Sequence, residues 1–274
     1  MEKSTVNKTL KQSQKLSILI AQGGLSFCIT RDETVLKFEE KLFSEPQNPE
    51  SLLREIKLVF SQSLADTLNG IANVQVFFAH QLYALVPRDY FDTAHLSDYL
   101  KFNTHLLSTD ELAYDRLIHT AANLVYIPYT NINNFLVEKF GELTYQHAAT
   151  HFVDQCLENL NANGEIAYIN VYRTHFDLCV FSDKELLLCN SYAYFSSEDL
   201  VYYALFAFKQ LKLSPEKLTL FLGGLIAKDT RLYQLLYAYI KNIILFTDSS
   251  PFTIEDTTLK QSASHRYSFF LNSI

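Results

Sequence analysis

From Glu165 to Thr247 the residue pattern runs strand, strand, strand, helix, strand, helix, strand. Glu165–Tyr172 (EIAYINVY), Phe176–Phe181 (FDLCVF) and Glu185–Tyr194 (ELLLCNSYAY) are short runs rich in apolar residues and separated by turn residues, the pattern of an antiparallel meander. Ser196-Ser197-Glu198-Asp199 supplies an N-cap and an acidic first turn for a helix over Leu200–Leu213. Leu218–Leu222 is a buried strand that runs into Gly223-Gly224, within the run Leu218–Ile226 (LTLFLGGLI). A helix over Asp229–Ile240 and a strand over Asn242–Phe246 complete the unit.

The same order begins once before, near Lys15. Lys15–Gln22, Leu25–Thr30 and Thr34–Phe43 read as three strands joined by Gly23-Gly24 and by Arg31-Asp32-Glu33. Pro49 opens an amphipathic helix over Pro49–Leu68, and Val74–Ala79 follows as an apolar strand. Three antiparallel strands, a helix and a parallel strand make an α/β unit that buries a mixed sheet between helices. Two such units predict a disordered tail over 1–14, a first lobe over 15–148 and a second over 149–274. Between the copies lie strands at Leu82–Val86, Leu112–Ile118, Asn123–Tyr129 and Leu143–Ala148. Helices are expected there at Leu96–Phe102, Ile132–Phe140 and Thr150–Leu160. After the second copy a polar loop, Asp248–Ser264, leads to a final strand over His265–Leu271.

Charge and composition narrow the function classes. The net charge of −7 argues against nucleic acid, whose binding needs a concentrated basic face. Lys3, Lys8, Lys11 and Lys15 are spread out and read as solvated charge. No apolar run reaches the roughly 18 residues of a membrane span, and the polar beginning lacks a leader's apolar core, so a cytoplasmic protein is expected. Cys28, Cys156, Cys179 and Cys189 form no CxxC pair, and Cys28 and Cys179 read as small hydrophobes in strands.

The duplicated order resembles the actin-like ATPase superfamily, a ribonuclease H-like fold, over most of residues 15–247. More narrowly the chain resembles a Bacteroidetes domain family of unknown function with that fold, similar to the actin-like proteins of type II secretion and type IV pilus assembly. The resemblance implies two lobes with mixed sheets and a cleft between them. Three elements of the superfamily's nucleotide site have counterparts, at Gln22-Gly23-Gly24, at Asn170-Val171-Tyr172 and at Gly223-Gly224. The superfamily's first loop carries Asp-x-Gly; here the glycine turn survives and Gln22 replaces the carboxylate that orients Mg²⁺-bound water. The second loop has lost both Asp and Gly, and Tyr172 places a side chain where phosphate needs close backbone approach. Gly223-Gly224 fits the adenosine turn, and a plain strand-to-helix turn explains it equally well.

The resemblance thus implies Gln22, Gly23, Gly24, Asn170, Gly223 and Gly224 as the cofactor-binding positions of a site whose phosphate chemistry is expected to have degenerated. The expectation is a non-catalytic binding or scaffold module with no cofactor, no metal and no assignable catalytic residue. An alternative is an active ATPase or small-molecule kinase using Mg-ATP and carboxylates elsewhere, such as Asp177 or Asp229; a third is a small-molecule binder in the cleft. Arg173, His175 and Asp177 alternate, so they share one strand face, read as exposed rather than as lining a polar cleft. His147 and His151 lack the HExxH pattern and read as solvated or capping residues. The aromatic run Tyr192–Phe208 is core or interface, which keeps a protein partner or self-association open.

Overall fold

The computed structural model describes residues 13–274 apart from 103, 105, 108–109, 161–163, 247–251, 257–258 and 260–265. Two sheets carry the same wiring. In the first, β1 (Gln14–Ala21), β2 (Gly24–Arg31) and β3 (Thr34–Leu42) form an antiparallel meander, and β4 (Ile71–Ala79) then joins β1 in parallel. In the second, β9 (Glu165–Val171), β10 (His175–Ser182) and β11 (Glu185–Ala193) repeat the meander, and β12 (Thr219–Gly224) joins β9 in parallel. A further parallel strand completes each, β8 (Thr144–His147) beside β4 and β13 (Asn242–Leu245) beside β12. Even the irregularities match, since the second and third strands slip register at Ile29/Thr30 in one copy and at Val180/Phe181 in the other.

The helices follow from their caps and faces. In α1 (Pro49–Gln62) the Asn48 side chain accepts from Ser51 N, and Leu52, Ile56, Val59 and Phe60 point into the core. It stops short of the predicted Leu68, where Thr67 donates its hydroxyl to Leu64 O and draws the chain into turns. In α5 (Ser197–Gln210) the expected start is realised as a capping box: Asp199 N donates to Ser196 Oγ, and Ser196 N donates to the Asp199 carboxylate.

The copies differ in what lies between their last two strands. The second has only α6 (Arg231–Tyr239) there. The first inserts β5 (Tyr83–Pro87), β6 (Ala113–Arg116) and β7 (Ala122–Tyr126) as a separate sheet of order β5-β7-β6, with α2 (Leu96–Leu100) between β5 and β6 and α3 (Thr130–Phe140) after β7. The helix α4 (Ala148–Glu158) then leads to the second sheet. One hydrophobic core runs through both sheets, joining Leu16, Ile18 and Phe27 to Phe152, Tyr168 and Phe181.

The C-terminal segment departs from expectation. Ser268–Leu271 is a helical turn, α7, rather than part of a strand, and His265 lies outside the described residues. Phe269, Phe270 and Leu271 are consecutive and all buried. A helical turn can bury neighbours in several directions, whereas a strand sends alternate residues to opposite faces. Within the expected polar loop, whose other residues fall largely outside the described ones, β14 (Thr253–Ile254) pairs in parallel with β3. This returns the C-terminal segment to the first sheet, where Phe270 meets Phe77 and Arg266 pairs with Glu40. Residues 1–12 of the expected tail lie outside the described residues. Among the described residues, no helix is long and apolar enough to cross a membrane.

Candidate functional site

In each sheet the turn between the first two strands stands at the end where the first and fourth strands, which are parallel, both finish. Ligands of open α/β sheets bind at such carboxyl ends. Here they bring together Gln22-Gly23-Gly24, the turn Tyr172-Arg173-Thr174 and the pair Gly223-Gly224. Five of the six sequence-predicted positions lie close to one another. Gly223 pairs with Asn170 and Gly224 with Val171 across β12 and β9, and Gly23, Gly24, Asn170 and Gly224 line one small cavity of about 60 Å³. Gln22 lines the larger cavity beside it.

The two hairpin turns touch. A β-carbon on Gly23 would lie 2.6 Å from Arg173 Cβ and 2.8 Å from Thr174 Cγ2. Gly23 thus admits the opposite hairpin, since any side chain there would collide with Arg173 and Thr174. The first turn's carbonyls are also engaged, with Gln22 O accepting from Gln47 N at 2.8 Å and Gly23 O from Phe43 N at 3.0 Å.

Gly224 has an internal explanation too. Its φ is +84°, and a β-carbon there would stand 2.2 Å from Val171 O and 2.7 Å from Asn170 Oδ1. The left-handed conformation turns the chain so that Leu225 N reaches Val171 O at 2.8 Å. This is the strand-to-helix reading of the glycine pair, met by packing between β12 and β9.

Behind the second turn lies a buried polar network that sequence periodicity did not foresee. His175 and Asp177 are buried, not on an exposed strand face; only Arg173, out in the turn, is exposed. Alternation fixed their shared face and could not reveal that Tyr83, from the inserted sheet, covers it. The Tyr172 ring stacks on His175 with centroids 4.4 Å apart, and its phenol bonds Asn170 and Asp177. Ser191 Oγ donates to Asp177 Oδ1 and lies 3.0 Å from Tyr83 Oη. Burial pushes Asp177 up to about 7, against the hydrogen bonds from Ser191 and Tyr172. Burial likewise brings His175 down to about 3 and His80 to about 4, and lowers His147.

His147 caps α4, as one of the sequence readings had it. Its Nδ1 accepts from Ala149 N at 3.1 Å, which leaves Nε2 to donate to His80 O, also 3.1 Å away. His80 repeats the arrangement, with Nδ1 accepting from Leu82 N and Nε2 donating to Ile127 O. Asp115 anchors α4 from below by accepting from His147 N at 2.7 Å and from Thr150 Oγ1 at 2.8 Å.

Beside the touching hairpins is a cavity of about 480 Å³, lined by Gln22, Gln81, Arg173, Thr174, Ser196 and neighbours. Arg173 is its one charged lining residue among those described, and none is a carboxylate. Asp177 is sequestered in the buried network, and Asp229 is exposed before α6, away from this lining. Among the described residues no group of three His, Cys, Asp or Glu side chains is placed to hold a metal ion.

Comparison with known proteins agrees with the topology. The family described as a protein of unknown function (DUF3822) matches residues 3–243. No curated protein matches the chain. A Bacteroides thetaiotaomicron protein with an actin-like ATPase fold and unknown function superposes with a TM-score of 0.72 at 22% identity, covering 89% of this chain and 94% of that one. The PilM-PilN type IV pilus biogenesis complex superposes with a TM-score of 0.60 at 11% identity, over 94% of this chain and 96% of that one. The cytoplasmic domain of EpsL, an inner membrane component of the Vibrio cholerae type II secretion system, gives 0.42 at 13% identity over 83% and 94%. The fold is the actin-like ATPase fold.

Proposed function

We propose a function from one premise: the chain belongs to the DUF3822 family and folds as an actin-like ATPase. It acts as a non-catalytic binding or scaffold module, keeping the two-lobed shape for contacts with other proteins. The observation that carries this reading is the close contact of Gly23 with Arg173 and Thr174, which on this reading puts the protein's own side chains where the superfamily holds phosphate. Two further features support it. The larger cavity is lined by amides, hydroxyls and one guanidinium, without a carboxylate among its described residues to hold Mg²⁺ or activate water. A protein of the same fold, PilM, has been solved in a complex with PilN, so this architecture is suited to protein contacts.

The test is thermal unfolding with and without Mg-ATP. A ligand that binds only the native state raises its stability by about 2.7 kcal/mol at a hundredfold excess over Kd. The proposal expects an unchanged melting temperature at millimolar Mg-ATP. A rise of several degrees, or ATP turnover lost on Asp177→Asn or Asp229→Asn, overturns it in favour of an ATPase or kinase.

A further inference from the structure

The two copies of the fold treat one equivalent edge in opposite ways. β3 and β11 are the third strands of their meanders and flank the same position in the two sheets. The edge of β3 is closed by this chain: Thr253 N donates to Glu33 O at 2.7 Å, Glu255 N to Val35 O at 3.0 Å, and the Asp256 carboxylate accepts from Phe38 N at 3.1 Å. β3 also carries Lys37, Glu39, Glu40 and Lys41, charges that discourage pairing with other chains. Among the described residues β11 pairs only with β10. Beyond Glu185 its sequence, LLLCNSYA, has no charge and no proline. An unprotected edge of this length is a template for another strand.

Beside that edge lies an apolar groove. Leu188 and Tyr192 of β11 form one wall and Tyr202, Tyr203 and Phe206 of α5 the other, enclosing about 360 Å³. Tyr202 is 62% exposed, Phe206 48% and Tyr203 37%, although the rings stack in series from Tyr192 to Tyr203 and from Tyr202 to Phe206. At Leu187 the register slip leaves an exposed residue unpaired by β10.

We propose that β11 and the α5 groove bind an extended segment of a partner protein, which adds a strand to the second sheet and places alternate apolar side chains against Tyr192, Tyr202 and Phe206. This deepens the proposed function, and rests on it, by naming the surface and the kind of partner. Backbone hydrogen bonds to the free edge supply affinity, and the aromatic groove selects side chains at every second position. The exposed area decides between a folded second copy and a peptide. At about 200 Å² per aromatic ring, the three exposed rings offer about 300 Å². A stable dimer needs about 800 Å² from each partner. One strand with two or three apolar side chains matches the smaller figure. The chain's net charge of −7 further favours a segment with basic flanks.

The probe is the labelled peptide acetyl-Lys-Thr-Val-Thr-Val-Thr-Val-Lys-amide, whose valines share one strand face. Its control carries proline at the central valine. Added to the full chain, the probe is expected to bind with at least tenfold preference over the control and to slow hydrogen exchange at backbone amides of β11. The double variant Tyr202→Ala/Phe206→Ala, altered only at exposed positions, is expected to weaken binding at least tenfold without changing the melting temperature. The proposal is overturned if the probe at 1 mM protects no β11 amide, or if the variant binds equally well. It is also overturned if sedimentation shows a concentration-dependent dimer that the same variant abolishes, which would assign the edge to a second copy. A failure here with no response to Mg-ATP leaves the non-catalytic reading standing, whereas a response to Mg-ATP removes that reading whatever the peptide does.

Discussion

Replacing Asp177 by asparagine isolates the cost of keeping a carboxyl group in the buried network. Burial raises the group to about 7 from an ordinary value of 3.8. The native state therefore holds a proton on Asp177 between about pH 4 and pH 7, where the unfolded chain has released it. A proton bound only by the native state stabilises it, so this contribution is complete below about pH 4 and is lost as pH rises towards 7. A shift of about three pH units corresponds to about 4 kcal/mol as an upper figure. The histidines work in the opposite direction. His175 and His80 are held neutral by burial, so their contribution grows as pH rises from about 3 or 4 towards 6.5, and His147, also lowered by burial, acts with the same sign. Asp115, raised to about 6, adds a smaller fall of the same sign as Asp177. The wild-type profile is a sum of these, but its difference from Asp177→Asn contains only the Asp177 contribution. Asparagine keeps an oxygen to accept from Ser191 and cannot ionise. Urea unfolding followed by circular dichroism between pH 4.5 and 8 should show the variant gaining on the wild type as pH rises, by up to about 4 kcal/mol at pH 8. Parallel profiles for the two proteins would refute the burial argument and place the carboxyl group in contact with water.

Three smaller perturbations test other parts of the structure. Gly224→Ala forces a side chain into the left-handed region and against Val171 O, and should cost about 3 kcal/mol or more, read as a lower urea midpoint. Asp115→Ala leaves His147 N and the Thr150 hydroxyl without their acceptor at the start of α4; a loss of about 3 kcal/mol is expected, with faster hydrogen exchange through α4. Ser196→Ala removes the side-chain half of the α5 capping box and should cost about 1 kcal/mol, while Ser196→Gly costs only a few tenths.

How far this protein can be read from its sequence depends on the range of the interaction that decides each feature. The meander of each copy was legible because turn residues and apolar runs are local signals, and the starts of α1 and α5 because Asn48-Pro49 and Ser196–Asp199 cap within a few residues. The repeated order of those elements was enough to indicate a duplicated mixed sheet, since short connections leave few ways to wire three antiparallel strands and a parallel fourth. The six candidate site positions rest instead on the resemblance to the superfamily, carried onto turns at matching places in the two copies.

Tertiary structure decided everything that depends on contact between distant segments. The two residues of β14 carry no recognisable pattern and become a strand only because Glu33 and Val35 offer backbone partners on β3. His265–Leu271 has strand-like composition, yet its described part turns helical against Phe77 and Phe152. His175 and Asp177 share a face by periodicity, but packing against distant segments, among them Tyr83, 108 residues before Ser191, turns that face into an interior, and burial shifts its charges. At the cleft, setting the sequence beside the superfamily it resembles shows Gln22 and Tyr172 departing from the Asp-x-Gly pattern. Only the folded chain sets Arg173 and Thr174 against Gly23 and closes the gap, because that contact is made by two turns about 150 residues apart that nothing but the packing of the two sheets brings together.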